Sequence, residues 1–216
     1  MTRGAASVDF RLYLITDRGQ TNGCDLMAVV EEALSGGVRA VQLREKTLSA
    51  REYYKMAQDL RALTIRYGAR LLINDRVDIA LAVGADGVHL PEAGLPVAVA
   101  RELLGPAKLI GVSCHSLDTA RDAARRGADF ITFGPVWVTP SKACYGEPVG
   151  IAPLARAEQS LSIPVFALGG VTRERVPELL AAGIQQVALI SAILAAPAPG
   201  VEAEAILSFL TPDSIV

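Results

Sequence analysis

The sequence predicts an α/β fold, a single-domain (β/α)8 TIM barrel, on three observations. Four segments share one pattern: Gly37–Leu43, Gly84–Leu90, Gly127–Phe133 and Gly183–Leu189. Each follows an alanine-rich amphipathic stretch and then alternates apolar residues, as when a helix ends on a C′ glycine and turns straight into a strand. Four more short apolar runs lie between these: Leu12–Thr16, Leu71–Asn74, Leu109–Ser113 and Pro164–Leu168. Strict alternation of strands and helices argues for a parallel sheet. Eight such units in 216 residues argue for closure. An open doubly wound sheet is the main rival, but no G-x-G-x-x-G supports it.

In chain order, residues 1–10 read as a short N-terminal extension, followed by strand one at Leu12–Thr16. Strand two follows Gly37 and leads into a helix over Ser49–Arg66. Strand three is Leu71–Asn74, strand four follows Gly84, and strand five is Leu109–Ser113. A helix over Ser116–Arg125 leads to strand six after Gly127. Strand seven, Pro164–Leu168, precedes a helix over Arg173–Ala182. Strand eight follows Gly183, and a helix over Val201–Leu210 ends the series. No linker, low-complexity tract or charge block divides residues 1–216, so one domain is expected.

Composition narrows the function classes. Apolar residues make up 51% of the chain and charged residues 20%, enough to bury a core. The balance of 21 basic against 23 acidic residues gives no basic field for nucleic acid or acidic lipid. The uncharged stretch Val187–Val201 is shorter than the ~20 residues a spanning helix needs and contains two prolines, Pro197 and Pro199. The start, MTRGAASVDF, lacks an apolar core typical of a leader, so a cytoplasmic location is expected. Cys24, Cys114 and Cys144 match neither a disulfide framework nor a C-x-x-C metal motif, which points to reduced thiols.

In a barrel the site lies where strands end at their C-termini, because the loops there converge on one mouth. Those ends carry Asp17, Arg44-Glu45-Lys46, Asn74-Asp75, Pro91-Glu92, Ser113, His115, Thr139-Pro140-Ser141-Lys142, Gly169-Gly170 and Ile190-Ser191. The opposite ends carry mainly Gly, Ala and Asp. Gly169-Gly170 and Ser191 fall after strands seven and eight, the usual barrel phosphate position; a tight turn needing positive φ is the plainer reading of the glycines. Thr139, Ser141 and Lys142 offer two hydroxyls and an ammonium to phosphate oxygens. Of Arg44 and Lys46, at most one is expected to point inward, and with Lys142 the two are expected to balance a diphosphate. Asp75 suits Mg²⁺, a hard cation, although Asn74-Asp75 also reads as a helix N-cap. His89 reads as a satisfied structural histidine within its strand. His115 reads either as a proton shuttle near the mouth or as a capping and packing residue. These residues suggest an enzyme handling two phosphorylated small molecules: a diphosphate near strands two and three, and a monophosphate near strands seven and eight.

The motifs Y-L-I-T-D, Q-L-R-E-K, L-I-N-D-R, G-V-H-L, G-V-S-x-H-S, F-G-P-V-x-x-T-P-S-K and A-L-G-G-V occur in this order between Tyr13 and Ser191. In them the chain resembles the thiamine-phosphate synthase family, whose close relatives include the thiazole tautomerases of TenI type. The resemblance implies a transferase (a thiamine-phosphate pyrophosphorylase) coupling hydroxymethylpyrimidine diphosphate to thiazole phosphate. The diphosphate site would comprise Gln42, Leu43, Arg44, Glu45, Lys46, Asn74, Ser113 and Lys142. The thiazole phosphate site would comprise Thr139, Pro140, Ser141, Gly170, Ile190 and Ser191, with Gly169 beside it, and Asp75 would hold magnesium. One departure stands out. Synthases usually carry H-L-G-Q-x-D, whereas this chain reads His89-Leu-Pro-Glu-Ala-Gly94, with glycine in place of the second metal carboxylate. A metal-independent isomerase of the tautomerase kind, with His115 as acid–base group, and a non-catalytic thiazole phosphate binder are the alternatives. A homo-oligomer is compatible with all three.

Overall fold

A computed structural model describes residues 7–139 and 147–211. Its parallel strands are β1 (Leu12–Ile15), β2 (Ala40–Leu43), β3 (Arg70–Asn74), β4 (Gly87–Leu90), β5 (Leu109–Cys114), β6 (Phe130–Phe133), β7 (Val165–Leu168) and β8 (Gln186–Leu189). They pair in sequence order, and β1 pairs with β8 to close the barrel. The helices between strands are α1 (Leu26–Ser35), α2 (Ala50–Arg66), α3 (Val77–Ala82), α4 (Val97–Leu104), α5 (Leu117–Arg125), α6 (Ile151–Ser160) and α7 (Val176–Ala181). After β8 come the short α8 (Ser191–Leu194) and then α9 (Pro199–Leu210). The (β/α)8 barrel expected from the repeat is the fold observed, with an added short helix after the last strand.

The repeated glycines act as the sequence pattern implies. Gly37, Gly84, Gly127 and Gly183 have φ of 102°, 64°, 93° and 87°, and each stands one residue beyond a helix C-cap. The residue after each glycine donates back to a carbonyl of the last turn, as in Val38 to Ala33 at 3.1 Å and Ile184 to Leu179 at 2.9 Å. This 6→1 bond satisfies an otherwise orphaned carbonyl and aims the chain at the next strand. Gly68, at φ 61°, does the same between α2 and β3. Its segment carries a polar residue two places on, as Arg39 follows Gly37, but then runs unbroken through Leu71, Leu72 and Ile73, which hides the alternation.

Period-two alternation sorts the strand residues into two cores. Leu14, Val41, Ile73, Val88, Ile131 and Val187 face outward into the layer packed against the helices. Tyr13, Leu72, Leu109, Phe130, Phe166 and Ala188 fill the barrel interior. Phe10, placed by sequence in the extension, also belongs to the interior, with its ring centroid 5.3 Å from Phe166 and 5.7 Å from Phe130.

At the N-terminal rim two aspartates repeat one device. Asp86 accepts Leu71 N–H at 2.8 Å and pairs with Arg61 at 2.6 Å. Two units later Asp129 accepts Ile110 N–H at 2.6 Å and pairs with Arg101 at 2.7 Å. Arg101 also donates to the carbonyls of Gly105, Lys108 and Gly127. Backbone donors and charges at these strand starts are thus satisfied together.

Candidate active site

The interior becomes polar toward the C-terminal ends of the strands. Gln42 is buried and donates from Nε2 to the Tyr13 hydroxyl at 3.1 Å. His89 is buried, with Nε2 3.1 Å from Ser113 Oγ and 3.3 Å from Thr132 Oγ1. Its Nδ1 has no hydrogen-bond partner among the described residues, so the histidine expected to be satisfied is only half so. Burial, and then the nearby Arg44 charge, push its pKa down to about 3, which keeps the imidazole neutral. Burial likewise raises the Tyr13 phenol far above its usual range. Tyr13 and Thr132 are members of this cluster that motif reading missed. The available signal was their parity: each sits on the inward face of its strand, as Gln42 and Ser113 do.

The loop after β2 divides its work. Arg44 is half-buried; its backbone N–H donates to the buried Thr16 Oγ1 at 2.9 Å, while its charge acts on His89. Lys46 is exposed beyond the strand end. Neither cation has a salt-bridge partner among the described residues. Leu43 turns outward into the helix-facing core, and its carbonyl accepts the Tyr53 hydroxyl at 2.6 Å. The Glu45 carboxylate is buried and accepts Arg18 N–H at 3.2 Å; burial pushes its carboxyl up, against hydrogen bonds from Thr16 and Arg18. Asp17 caps the 3₁₀ turn Arg18–Gln20, accepting Gly19 N–H at 3.1 Å. Glu45 therefore ties the second loop to the first, while Asp17 shapes the first loop from within.

Asn74 ends β3 on the inward parity of Leu72, and Asp75 follows with φ 62°. An aspartate tolerates this left-handed conformation better than most residues. Asp75 N–H donates to the His89 carbonyl at 3.0 Å, which ties the turn to β4. The N-cap alternative for these two residues is overturned. The cap of α3 is Arg76, no side chain bonds there, and the exposed Asp75 carboxylate accepts no hydrogen bond among the described residues.

The loop after β4 differs from what a second metal carboxylate would need. Pro91 to Gly94 forms a tight turn in which Gly94 N–H donates to the Pro91 carbonyl at 2.9 Å. The exposed Glu92 accepts His115 N–H at 3.0 Å, and His115 Nδ1 bonds the Gly134 carbonyl. A carbonyl partner requires the proton on Nδ1, which leaves Nε2 as the basic nitrogen.

Across the barrel, Gly169 and Gly170 have φ of 95° and 70°. A Cβ would lie 2.6 Å from Pro135 Cα at Gly169 and 2.7 Å from Trp137 Cβ at Gly170. The plain reading, a turn needing positive φ, is thus correct, with close approach added. The carbonyls of Leu168 and Gly169 accept Val136 and Trp137 N–H at 2.9 and 3.0 Å. The N–H groups of Gly170 and Ser191 make no backbone hydrogen bond among the described residues. Ile190 and Ser191 follow β8, with Ser191 opening α8, and Thr139 stands half-buried after β6. Pro140, Ser141 and Lys142 lie outside the described residues, as does Cys144. Cys114 is buried, its thiol pushed up to about 12 by burial, and Cys24 is exposed. No group of three or more potential metal ligands occurs among the described residues, and no helix among them is long and apolar enough to cross a membrane.

The molecule is a (β/α)8 barrel whose rim carries, among the described residues, cations without salt-bridge partners after β2 and amides without backbone acceptors after β7 and β8. The family model described as thiamine monophosphate synthase matches residues 12–193. A putative thiamine-phosphate synthase from Geobacter sulfurreducens is 65% identical over 207 residues, 96% of this chain and 97% of that one. The thiamine-phosphate synthase of Clostridium novyi is 43% identical over 187 residues, 87% of this chain and 92% of its own. A solved thiamine phosphate pyrophosphorylase from Pyrococcus furiosus superposes with a TM-score of 0.83 at 38% identity, over 93% of this chain and 95% of that one. The chain belongs to the thiamine monophosphate synthase family, whose members are transferases of thiamine biosynthesis.

Proposed function

We propose that this chain joins hydroxymethylpyrimidine diphosphate to thiazole phosphate at the C-terminal rim, giving thiamine phosphate and pyrophosphate. The observation that carries the reading is the convergence of Arg44, Lys46, Asn74 and Asp75 on one side of the rim and Gly170 and Ser191 on the other, in a chain of this family. The bond from the pyrimidine methylene carbon to the diphosphate oxygen breaks, and pyrophosphate leaves with the electron pair. The thiazole nitrogen then forms its bond to that carbon. Arg44 and Lys46, with Lys142, offset the charge growing on the leaving group. The neutral His89 and the un-ionised Tyr13 add no fixed charge beside a pyrimidine that becomes cationic. Ser113, Asn74 and Gln42 supply hydrogen bonds to orient the ring. The amides of Gly170 and Ser191, with Thr139 and Ser141, receive the monophosphate.

The donor set fits a magnesium ion shared with substrate: Asp75 offers a free carboxylate, and Mg²⁺ is commonly held by one or two carboxylates plus phosphate oxygens. Bound there, the ion would neutralise charge on the departing pyrophosphate. A cytoplasmic setting belongs to the same reading.

The deciding experiment incubates purified protein with both substrates, with and without Mg²⁺, and measures thiamine phosphate. Product above background is expected; a folded protein giving none rejects the transferase. One observation favours a second reading, metal-independent thiazole tautomerisation: His115 is fixed by Gly134 with Nε2 free to act as a base. That reading requires turnover without Mg²⁺ that collapses in His115→Ala. A rise in Tm with thiazole phosphate and no turnover of either kind would leave only a binder.

A further inference from the structure

We infer that this chain takes up its divalent cation only together with the diphosphate group, through Asp75 alone, and that Glu92 is a strut and not a metal ligand. The inference rests on the transferase reading and concerns how this particular loop departs from a two-carboxylate site.

Three observations carry it. The first is steric. A Cβ built on Gly94 would lie 2.8 Å from Pro91 Cδ, 2.9 Å from Pro91 Cγ and 3.0 Å from the Pro91 carbonyl oxygen. The Pro91 ring crowds the space a side chain at position 94 needs, so a carboxylate there requires the turn to shift. The second concerns Glu92, the nearest carboxylate in the loop. It is engaged by His115 N–H at 3.0 Å, and His115 in turn holds the Gly134 carbonyl. Withdrawing Glu92 toward an ion would break a brace that links the ends of β4, β5 and β6. The third is Asp75 itself: exposed, without a hydrogen bond among the described residues, and held in position by its own backbone bond to His89. One protein carboxylate is too few to strip a hydrated Mg²⁺ of several waters, whereas one carboxylate plus diphosphate oxygens is a normal complement.

The test uses Mn²⁺ as a paramagnetic probe, pyrophosphate as the diphosphate, and water-proton relaxation enhancement as the readout, with no turnover involved. With Mn²⁺ alone the wild-type protein should show millimolar affinity or weaker. Adding pyrophosphate should tighten retention at least about tenfold, and by linkage Mn²⁺ should tighten pyrophosphate by the same factor. Asp75→Asn, which keeps a residue tolerant of positive φ, should remove most of that gain. Glu92→Gln should leave it within about twofold, since only a strut is altered. Pro91→Gly combined with Gly94→Asp should create Mn²⁺ binding without pyrophosphate, whereas Gly94→Asp alone should lower Tm and create none. Micromolar Mn²⁺ binding by the free wild-type protein that disappears in Glu92→Gln would overturn the inference, as would failure of pyrophosphate to enhance retention. The coupling assay separates the two levels. Thiamine phosphate formed alongside tight Mn²⁺ binding to the free protein rejects this inference alone. Cooperative Mn²⁺ and pyrophosphate binding with no product rejects the transferase reading.

Discussion

The two rims of the barrel use charge in opposite ways. At the N-terminal rim, Asp86 and Asp129 each receive a strand N–H and an arginine, and Arg101 reaches three carbonyls besides. At the C-terminal rim, Arg44, Lys46 and Asp75 have no salt-bridge partner among the described residues, and the Gly170 amide has no backbone acceptor. A fold gains stability by closing such groups on one another, and a binding site must leave them open. The contrast separates residues that hold the barrel together from residues kept for a ligand.

The contrast can be broken or sharpened by experiment. The largest effect is expected at the open rim, where Arg44→Ala should lower kcat/KM by about 10²–10³-fold, as for loss of a charge stabiliser. Its Tm should stay close to wild type; a large fall in Tm would make Arg44 a structural residue. At the closed rim, Asp129→Ala strands the Ile110 N–H and leaves Arg101 without its carboxylate. Urea unfolding should show a loss of roughly 2–4 kcal/mol, with kcat unchanged. A comparable loss of activity in folded Asp129→Ala would dissolve the distinction between rims.

Smaller effects refine it. Gly170→Ala meets both a positive φ and Trp137, and should cost about 1–3 kcal/mol of stability. It should also raise KM for thiazole phosphate more than KM for the pyrimidine substrate. Histidine 89 gives a signature in pH. Its folded pKa of about 3 lies below the ordinary 6.5, so the unfolded chain binds the extra proton first. Stability from neutral His89 is full above pH 6.5 and declines as pH falls toward 3, at up to about 1.4 kcal/mol per unit. Thermal unfolding across that window should show this slope in wild type and a shallower one in His89→Gln.

Much of this was legible in the sequence. Four helix-terminating glycines and the alternating runs after them identified the barrel, and the strand ends then indicated where to look. The residues expected to meet the two phosphorylated groups, where described, lie at or just beyond the C-terminal ends of their strands. What stayed hidden depended on contacts between distant positions. Glu45 reads like an exposed rim carboxylate, yet its partners Thr16 and Arg18 lie on another loop. Tyr13 and Thr132 look like ordinary strand residues until closure brings them beside Gln42 and His89. Phe10 looks like part of a tail until the barrel supplies the aromatic rings that surround it.

The turn at Pro91 and Gly94 also bears on the order in which mutations can accumulate. Because the pyrrolidine ring crowds the place of a side chain three residues on, an aspartate arriving first forces the turn to shift. Loss of the proline first removes the ring carbons from that space, so the two orders of substitution are expected to differ in what they cost the fold.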